Sequence, residues 1–374
     1  MIITLQHFSY LKCCTCSIIA ITWCNYFFWI RYFHLNKKTQ AENHAQVEVL
    51  APARLHLGFM DMHGGLGRTF GSLGLGLSDI YTHVTARCSN DMVIVGPSSH
   101  RASVYAGRII EHLNLEAGVE LTINQTIPEH AGLGSGTQLS LAIGTAIARL
   151  YQRDISTHQI AALMDRGARS GIGVGAFTRG GFLVDGGRGE NTDIPPILSR
   201  IHFPDAWRFL LIFDDRLQGV HGKREIQAFR ELAPMSEHTT EYLCRLTLMQ
   251  LLPALVEENC EKFGEAVTEI QCLVGDHFAE AQGGRYCSPA IAEILPGLQA
   301  GCARAVGQSS WGPTAFALYP NETQAYQALK QLRDKRTSDQ SITFKICRAR
   351  NNPAEINYID QFADNNQNLK IVRD

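Results

Sequence analysis

Charge of one sign is scarce in this chain. Its 374 residues carry 34 Lys and Arg against 36 Asp and Glu, a formal net charge of -2. No global field therefore gathers nucleic acid or an anionic membrane, and an anionic substrate has to be met by a local cluster of bases. Paired cysteine is scarce too. Of 11 Cys, four (Cys13, Cys14, Cys16, Cys24) crowd the N-terminal stretch, and the rest are scattered without a C-x-x-C pair or a zinc-type Cys/His spacing. The pattern predicts buried free thiols in a reducing compartment. No internal repeat is present. What the chain does have is enough apolar sequence, 45% of residues, for a sizeable core in about two domains. It also has 33 Gly, many of them in three short stretches.

Residues 1–46 differ from the remainder. From Cys13 to Ile30 they are almost wholly apolar, with Lys12 before and Arg31, Lys37 and Lys38 after. Two readings stand. One is a marginal membrane span or signal anchor that carries Asn25, the only route to a membrane partner. The other is translated upstream sequence, with the true start near Val47. On both readings the folded protein begins near Gln46.

Residues 47–59 (VEVLAPARLHLGF) predict a strand interrupted at Pro52. Leu55, Leu57 and Phe59 alternate onto one face, so Arg54 and His56 share the other. A glycine-rich run spans residues 64–78, and a second alternating strand covers 119–123. Leu139, Ile143, Ala146, Ile147 and Leu150 recur at helical spacing, with Ser135 as expected N-cap and Gln138 completing a capping box. A second helix is expected over 157–168, capped by Ser156. The third glycine-rich stretch is 169–189. Pro195, Pro196 and Pro204 mark a domain boundary, and Phe209 to Phe213 form a buried strand ending in Asp214 and Asp215. Beyond it come helices over most of 223–300, a strand at 314–319, a helix capped by Asn321, and an alternating strand with Ile342, Phe344 and Ile346. Strands and helices mix without a βαβ repeat, which predicts an α+β fold in two domains. The tail from Asn351 is polar and is expected to be loosely ordered.

GLGSG at residues 132–136 is the strongest chemical signal. Glycines let the backbone curl closely around an anion, and the free N–H groups of a helix start point at it. Pro128 before it and the apolar helix after it distinguish it from an ordinary turn. It is neither G-x-x-x-x-G-K-[ST] nor a dinucleotide fingerprint, since no Lys follows and no βαβ unit surrounds it.

PEHAGLGSGTQLSLAIGTA (128–146) resembles the phosphate loop of the GHMP-kinase superfamily, whose usual form is P-x-x-x-G-L-G-S-S-A-A. APARLHLGF (51–59) resembles that superfamily's first motif, in which a Lys or Arg sits on an N-terminal strand. SGIGVGAFTRGGFLV (170–184) resembles the stretch after its second helix. The likeness holds in order and spacing over about residues 47–319. Two departures matter. Gly136 stands where the kinases have a Mg2+-holding Ser, and Gly173 where some have a catalytic Asp. The ARLHLGF start, the GLGSGT loop and SSWGPT at 309–314 are similar to the β-ribofuranosylaminobenzene 5′-phosphate synthases.

That resemblance implies a GHMP-kinase-like fold: an N-terminal phosphate-loop domain over 47–200 and a C-terminal ferredoxin-like α/β domain over 201–374. It implies that phosphoribosyl pyrophosphate (PRPP) is joined to a para-substituted benzoate, aminobenzoate or hydroxybenzoate, with loss of CO2 and pyrophosphate, as the entry step of methanopterin biosynthesis. Gly132, Leu133, Gly134, Ser135, Gly136, Thr137, Arg169, Arg179, Ser309 and Ser310 are the expected PRPP-binding residues. Arg166 and Arg188 belong to the same arginine-rich regions. Arg54, His56 and Trp311 are the expected catalytic residues, with His130 and His221 as further imidazoles. Mg2+ is the expected cofactor, with Asp185, Asp214 and Asp215 as available ligands. A cytoplasmic homodimer without nucleic-acid partners is the remaining expectation. The rivals are an ATP-dependent small-molecule kinase of the same superfamily and a non-catalytic ligand-binding or tethered protein.

Overall fold

The structure is a computed structural model that describes residues 45–219, 222–335 and 340–360. The two readings of the N-terminal extension, and His221, lie outside the described residues. The first part of the chain forms β1 (Ala45–Asp61), β2 (Phe70–Ser89), β3 (Val93–Val95), α1 (Ser99–His112), β4 (Gly118–Gln125), α2 (Ser135–Leu150), α3 (Thr157–Leu163), α4 (Ile172–Thr178), β5 (Phe182–Asp185) and β6 (Ile197–Ile201). Then come β7 (Arg208–Asp214), α5 (Gly222–Glu231), α6 (Glu237–Leu246), a π turn at Thr247–Leu251, α7 (Leu252–Val256), α8 (Cys260–His277), α9 (Ala279–Gln282) and α10 (Pro289–Ala300). The chain closes with β8 (Ala305–Gln308), β9 (Ala315–Tyr319), α11 (Glu322–Lys335), β10 (Ile342–Cys347), β11 (Ala349–Arg350) and β12 (Glu355–Asp360).

Two sheets organise these elements, and the fold is α+β as expected. The first has eight strands in the path β12-β1-β2-β4-β3, with β5 and β11 also on β2 and β6 on β5. The second is β10-β7-β9-β8, all antiparallel. Its chain order of strand, helices, two strands, helix, strand is the ferredoxin-like layout. Apolar α2 is buried nearly all round and packs with α1 under the first sheet, around Val47, Val84, Leu121 and Ile143. A second core joins the first sheet to α8 and the second sheet through Leu55, Phe182, Phe203, Phe263 and Phe316. Each of these side chains contributes about 1.5–3 kcal/mol on burial. The site described below lies along this seam.

Six expectations change. Pro52 does not interrupt β1; the strand runs through it with a register shift between Pro52 and Ala53, and a bulge needs no N–H from proline. A second shift between His56 and Gly58 ends the alternation. Phe59 therefore packs on His56, ring centroids 4.6 Å apart. Ser135 is not the cap of α2: Gly134 is, at φ 80, and Gln138 donates its side-chain N–H to Gly173 O at 2.8 Å. Ser156 does cap α3 through a complete capping box with Gln159, but the helix stops at Leu163. The tail is not loose up to residue 360: β12 pairs with β1, and β11 with β2. The expected unit 201–374 is thus not confined to the second sheet, because β11 and β12 return to the first.

Candidate active site

The loop between β4 and α2 is wound by left-handed residues: His130 at φ 55, Gly132 at φ 72 and Gly134 at φ 80. A Cβ at Gly132 would stand 2.2 Å from Ser309 O, and one at Gly134 would stand 2.9 Å from Arg54 Cγ. Both glycines are needed for the approach as well as for the backbone angle. Arg54 N donates to Leu133 O at 3.0 Å, and the Arg54 guanidinium donates to Gly132 O. Ser309 Oγ donates to the same carbonyl at 2.7 Å and accepts from His56 N at 3.1 Å. β1, the loop and the 309–312 turn are thus laced into one body. The first backbone bond of α2 runs from Gln138 N to Gly134 O, 3.0 Å. That leaves the N–H groups of Ser135, Gly136 and Thr137 at the positive end of a 16-residue helix.

Arginines stand around this helix start. Burial brings Arg54 down to about 10, opposed by the negative charge of Glu225. Arg166 lies against Gly136, its guanidinium 3.4–3.5 Å from where a Cβ would stand. It donates to Tyr105 Oη at 2.5 Å and lies 5.6 Å from that ring's centroid. Among the described residues its buried Nε has no partner, and no carboxylate pairs with it. Arg169 pairs with Glu225 at 2.7 Å and lies 4.9 Å from the Phe229 ring, so it braces α5 against the connection between α3 and α4. Arg179 is not brought to the site: it is exposed at the C-cap of α4, where the next residue, Gly180, lies against Asn351 and Asn352. Arg188 is likewise exposed, bridging to Thr69.

The three aspartates do not fit a cation site. Asp185 is fully buried and accepts from Ser72 N, Gly171 N and Gly187 N at 2.8–3.0 Å, with Ser170 Oγ at 3.4 Å. Burial raises its pKa against the pull of those amides. Its job is to tie β2, the start of α4 and the turn after β5 together. Asp214 is held by both nitrogens of Arg216, at 2.8 and 3.0 Å, and by Ser288 Oγ at 2.7 Å; the Arg216 bond keeps its pKa low. Asp215 is exposed in the turn after β7. Among the described residues no group of three His, Cys, Asp or Glu could hold a metal ion.

His56 is 2% exposed, and its Nε2 has no hydrogen-bond partner among the described residues. Burial, then the charge of Arg54, holds its pKa well below 6.5, so the ring is neutral. It lines a cavity with Phe59, Phe278, Gln308 and Ser310. Trp311 is buried behind that wall, its ring 4.5 Å from Phe278 and 5.2 Å from Phe229. His130 sits at the loop's edge, 3.9 Å from Glu129. Sequence reasoning missed Tyr105, Glu225, Phe229 and Phe278. These come from α1, α5 and the end of α8, none of which carries a motif. The arginine-rich region did point to Arg166, but not to its place beside Gly136.

Comparison with known proteins agrees with this geometry. Residues 102–181 match the GHMP kinases N terminal domain, and residues 251–336 the GHMP kinases C terminal domain. The beta-ribofuranosylphenol 5′-phosphate synthase of Archaeoglobus fulgidus is 35% identical over 281 residues, covering 71% of this chain and 86% of that protein. The chain belongs to the β-ribofuranosylphenol 5′-phosphate synthase family. Its counterpart in Methanothermobacter thermautotrophicus is 32% identical over 289 residues, covering 71% and 87%. The galactokinase of Lactococcus lactis, solved with galactose, superposes with a TM-score of 0.61 at 14% identity over 83% of this chain and 94% of that one. The homoserine kinase of Cytophaga hutchinsonii gives 0.58 at 16%, over 83% and 97%. At such identities the kinases share the fold alone. In this synthase-family member a Cβ at Gly173 would stand 3.2 Å from Thr137 Cγ2, and Arg166 faces Gly136. A side chain at Gly173 would thus be tight against Thr137, while one at Gly136 would meet the Arg166 guanidinium at ordinary contact distance.

Proposed function

We propose that the protein joins the ribosyl 5-phosphate of PRPP to a para-hydroxybenzoate or para-aminobenzoate, as a decarboxylating glycosyltransferase. One observation carries this reading: a helix start whose first N–H groups have no helical partner, edged by Arg54 and Arg166, is laced through Ser309 to the backbone N–H of His56, whose neutral imidazole lines an aromatic-walled cavity. The names of the relatives, which denote synthesis of a ribofuranosylphenol phosphate, support it. The loop amides and the two arginines bind phosphate oxygens and stabilise charge on the departing diphosphate. The C–O bond to diphosphate breaks, and the ring carbon bearing the carboxylate forms a C–C bond to the anomeric carbon. The carboxylate then leaves as CO2, and its bonding pair restores aromaticity. The protein's share is placement, with reacting carbons about 3–3.5 Å apart. Mg2+ belongs to this reading as a companion of the diphosphate substrate rather than a resident of the aspartates. Incubation with PRPP, Mg2+ and carboxyl-labelled benzoates, with ATP as control, tests it. CO2 and pyrophosphate are expected in equal amounts; ADP formed from ATP with a small alcohol, and no CO2, would replace the reading with a kinase.

A further inference from the structure

The cavity beside His56 is unusual in what its polar groups have left to offer. Gln271 donates to Leu57 O and accepts from Gln308 N, both at 2.7 Å. Gln308 accepts from Cys287 N at 2.8 Å and donates to Gln282 Oε1 and Ser310 O, each at 3.1 Å. Arg285, at the wall, is held by both oxygens of Asp276 at 2.7 and 2.8 Å. Among the lining residues, the buried side-chain atom left without a partner is His56 Nε2. An imidazole whose Nε2 carries no proton offers one acceptor, and burying it unsatisfied is costly. Phe59 and Phe278 supply apolar walls around it.

We propose that this cavity, whose free space of about 20 Å³ suits one water-sized group, receives the hydroxyl of a phenolic ring, which donates its single hydrogen bond to His56 Nε2. The inference rests on the function proposed above and deepens it by naming the group that reads the para substituent. A carboxylate has no proton to give and would be buried beside aromatic walls with Arg285 already paired. An amino group fits less well than a hydroxyl. It brings two N–H donors, whereas the buried side-chain atom of the lining that lacks a partner among the described residues is His56 Nε2. The same placement helps the chemistry: a hydrogen bond drawn from the hydroxyl raises electron density at the para carbon, where the new C–C bond forms. His56 is held for this by its own backbone bond to Ser309, so ring recognition and the phosphate loop share one support.

The test compares 4-hydroxybenzoate, 4-aminobenzoate and 4-methoxybenzoate as co-substrates of PRPP, with the wild-type protein and with His56→Phe and His56→Gln. The expected result is a preference of about tenfold or more in kcat/KM for hydroxy over methoxy, the usual scale for an unpaired buried polar group. His56→Phe should abolish that preference, and His56→Gln, which restores an acceptor, should recover part of it. An independent arm titrates phenol alone into protein labelled with 15N in histidine; the unprotonated Nε2 resonance of His56 should move. The inference is overturned if His56→Phe keeps the preference, or if phenol leaves the His56 resonance in place. Should the phenylalanine variant fail to fold, the wild-type titration decides. Failure of the function itself would look different: no benzoate would react with PRPP, while phenol would still shift His56.

Discussion

Two buried polar side chains, Asp185 and His56, lie on neighbouring parts of the same sheet and behave in opposite ways. Asp185 is saturated: amides from three segments and a serine hydroxyl point at its oxygens. His56 keeps a ring nitrogen with no partner. Both are charged or chargeable groups taken out of water, yet burial raises one pKa and lowers the other, because it disfavours whichever form carries charge. A saturated buried group holds structure. An unsaturated one at a cavity is where the proposed hydroxyl would bond.

The contrast can be broken from either side. Asp185→Ala should cost about 3–5 kcal/mol in urea unfolding, since it strands three buried amides at once. Loss of under 1 kcal/mol would make Asp185 a site residue instead. Arg54→Ala comes next, with about 2–4 kcal/mol of transition-state stabilisation lost, read as kcat/KM for PRPP. Part of that loss reflects the missing bond to Gly132 O, so circular dichroism should accompany the kinetics. Arg166→Ala should raise the KM for PRPP about tenfold with little change in melting temperature, because no carboxylate depends on it. His56→Phe should change stability by less than about 1 kcal/mol, as no hydrogen bond to Nε2 is lost.

The smallest effect concerns pH. His56 has a folded pKa below its unfolded value near 6.5, so the folded state binds fewer protons. Stability from this group is complete above about pH 6.5 and declines as pH falls below it, by at most about 1.4 kcal/mol per pH unit. Urea midpoints of the wild type should therefore drop between pH 7 and 5 more than those of His56→Phe. Equal slopes would show that the ring is not held neutral.

Much of the fold was legible because its signals are local. The apolar spacing of Leu139, Ile143 and Leu150 found α2, Ser156 found the start of α3, and Asn321 found α11 through its bond to Gln324 N. The phosphate loop was legible for the same reason: its glycines must adopt left-handed angles whatever surrounds them. Errors arose where a distant partner decided. Ser135 looks like a cap, but Gly134 takes that position because the loop folds back on Arg54. Residues 355–360 look like part of a loose tail until β1 offers them an edge to pair with.

The site divides in the same way. By its sequence alone the chain determined the loop, the placing of Arg54 and His56 two residues apart on one strand, and the motif order that places it among the synthases. Only the tertiary structure decided which polar groups are used up. Asp185, Asp214 and His56 are equally titratable on paper. Three amides occupy the first, Arg216 and Ser288 the second, and among the described residues nothing meets Nε2 of the third. Hydrogen-bond saturation is a property of the neighbours that folding brings, often from more than a hundred residues away, and no local pattern encodes it.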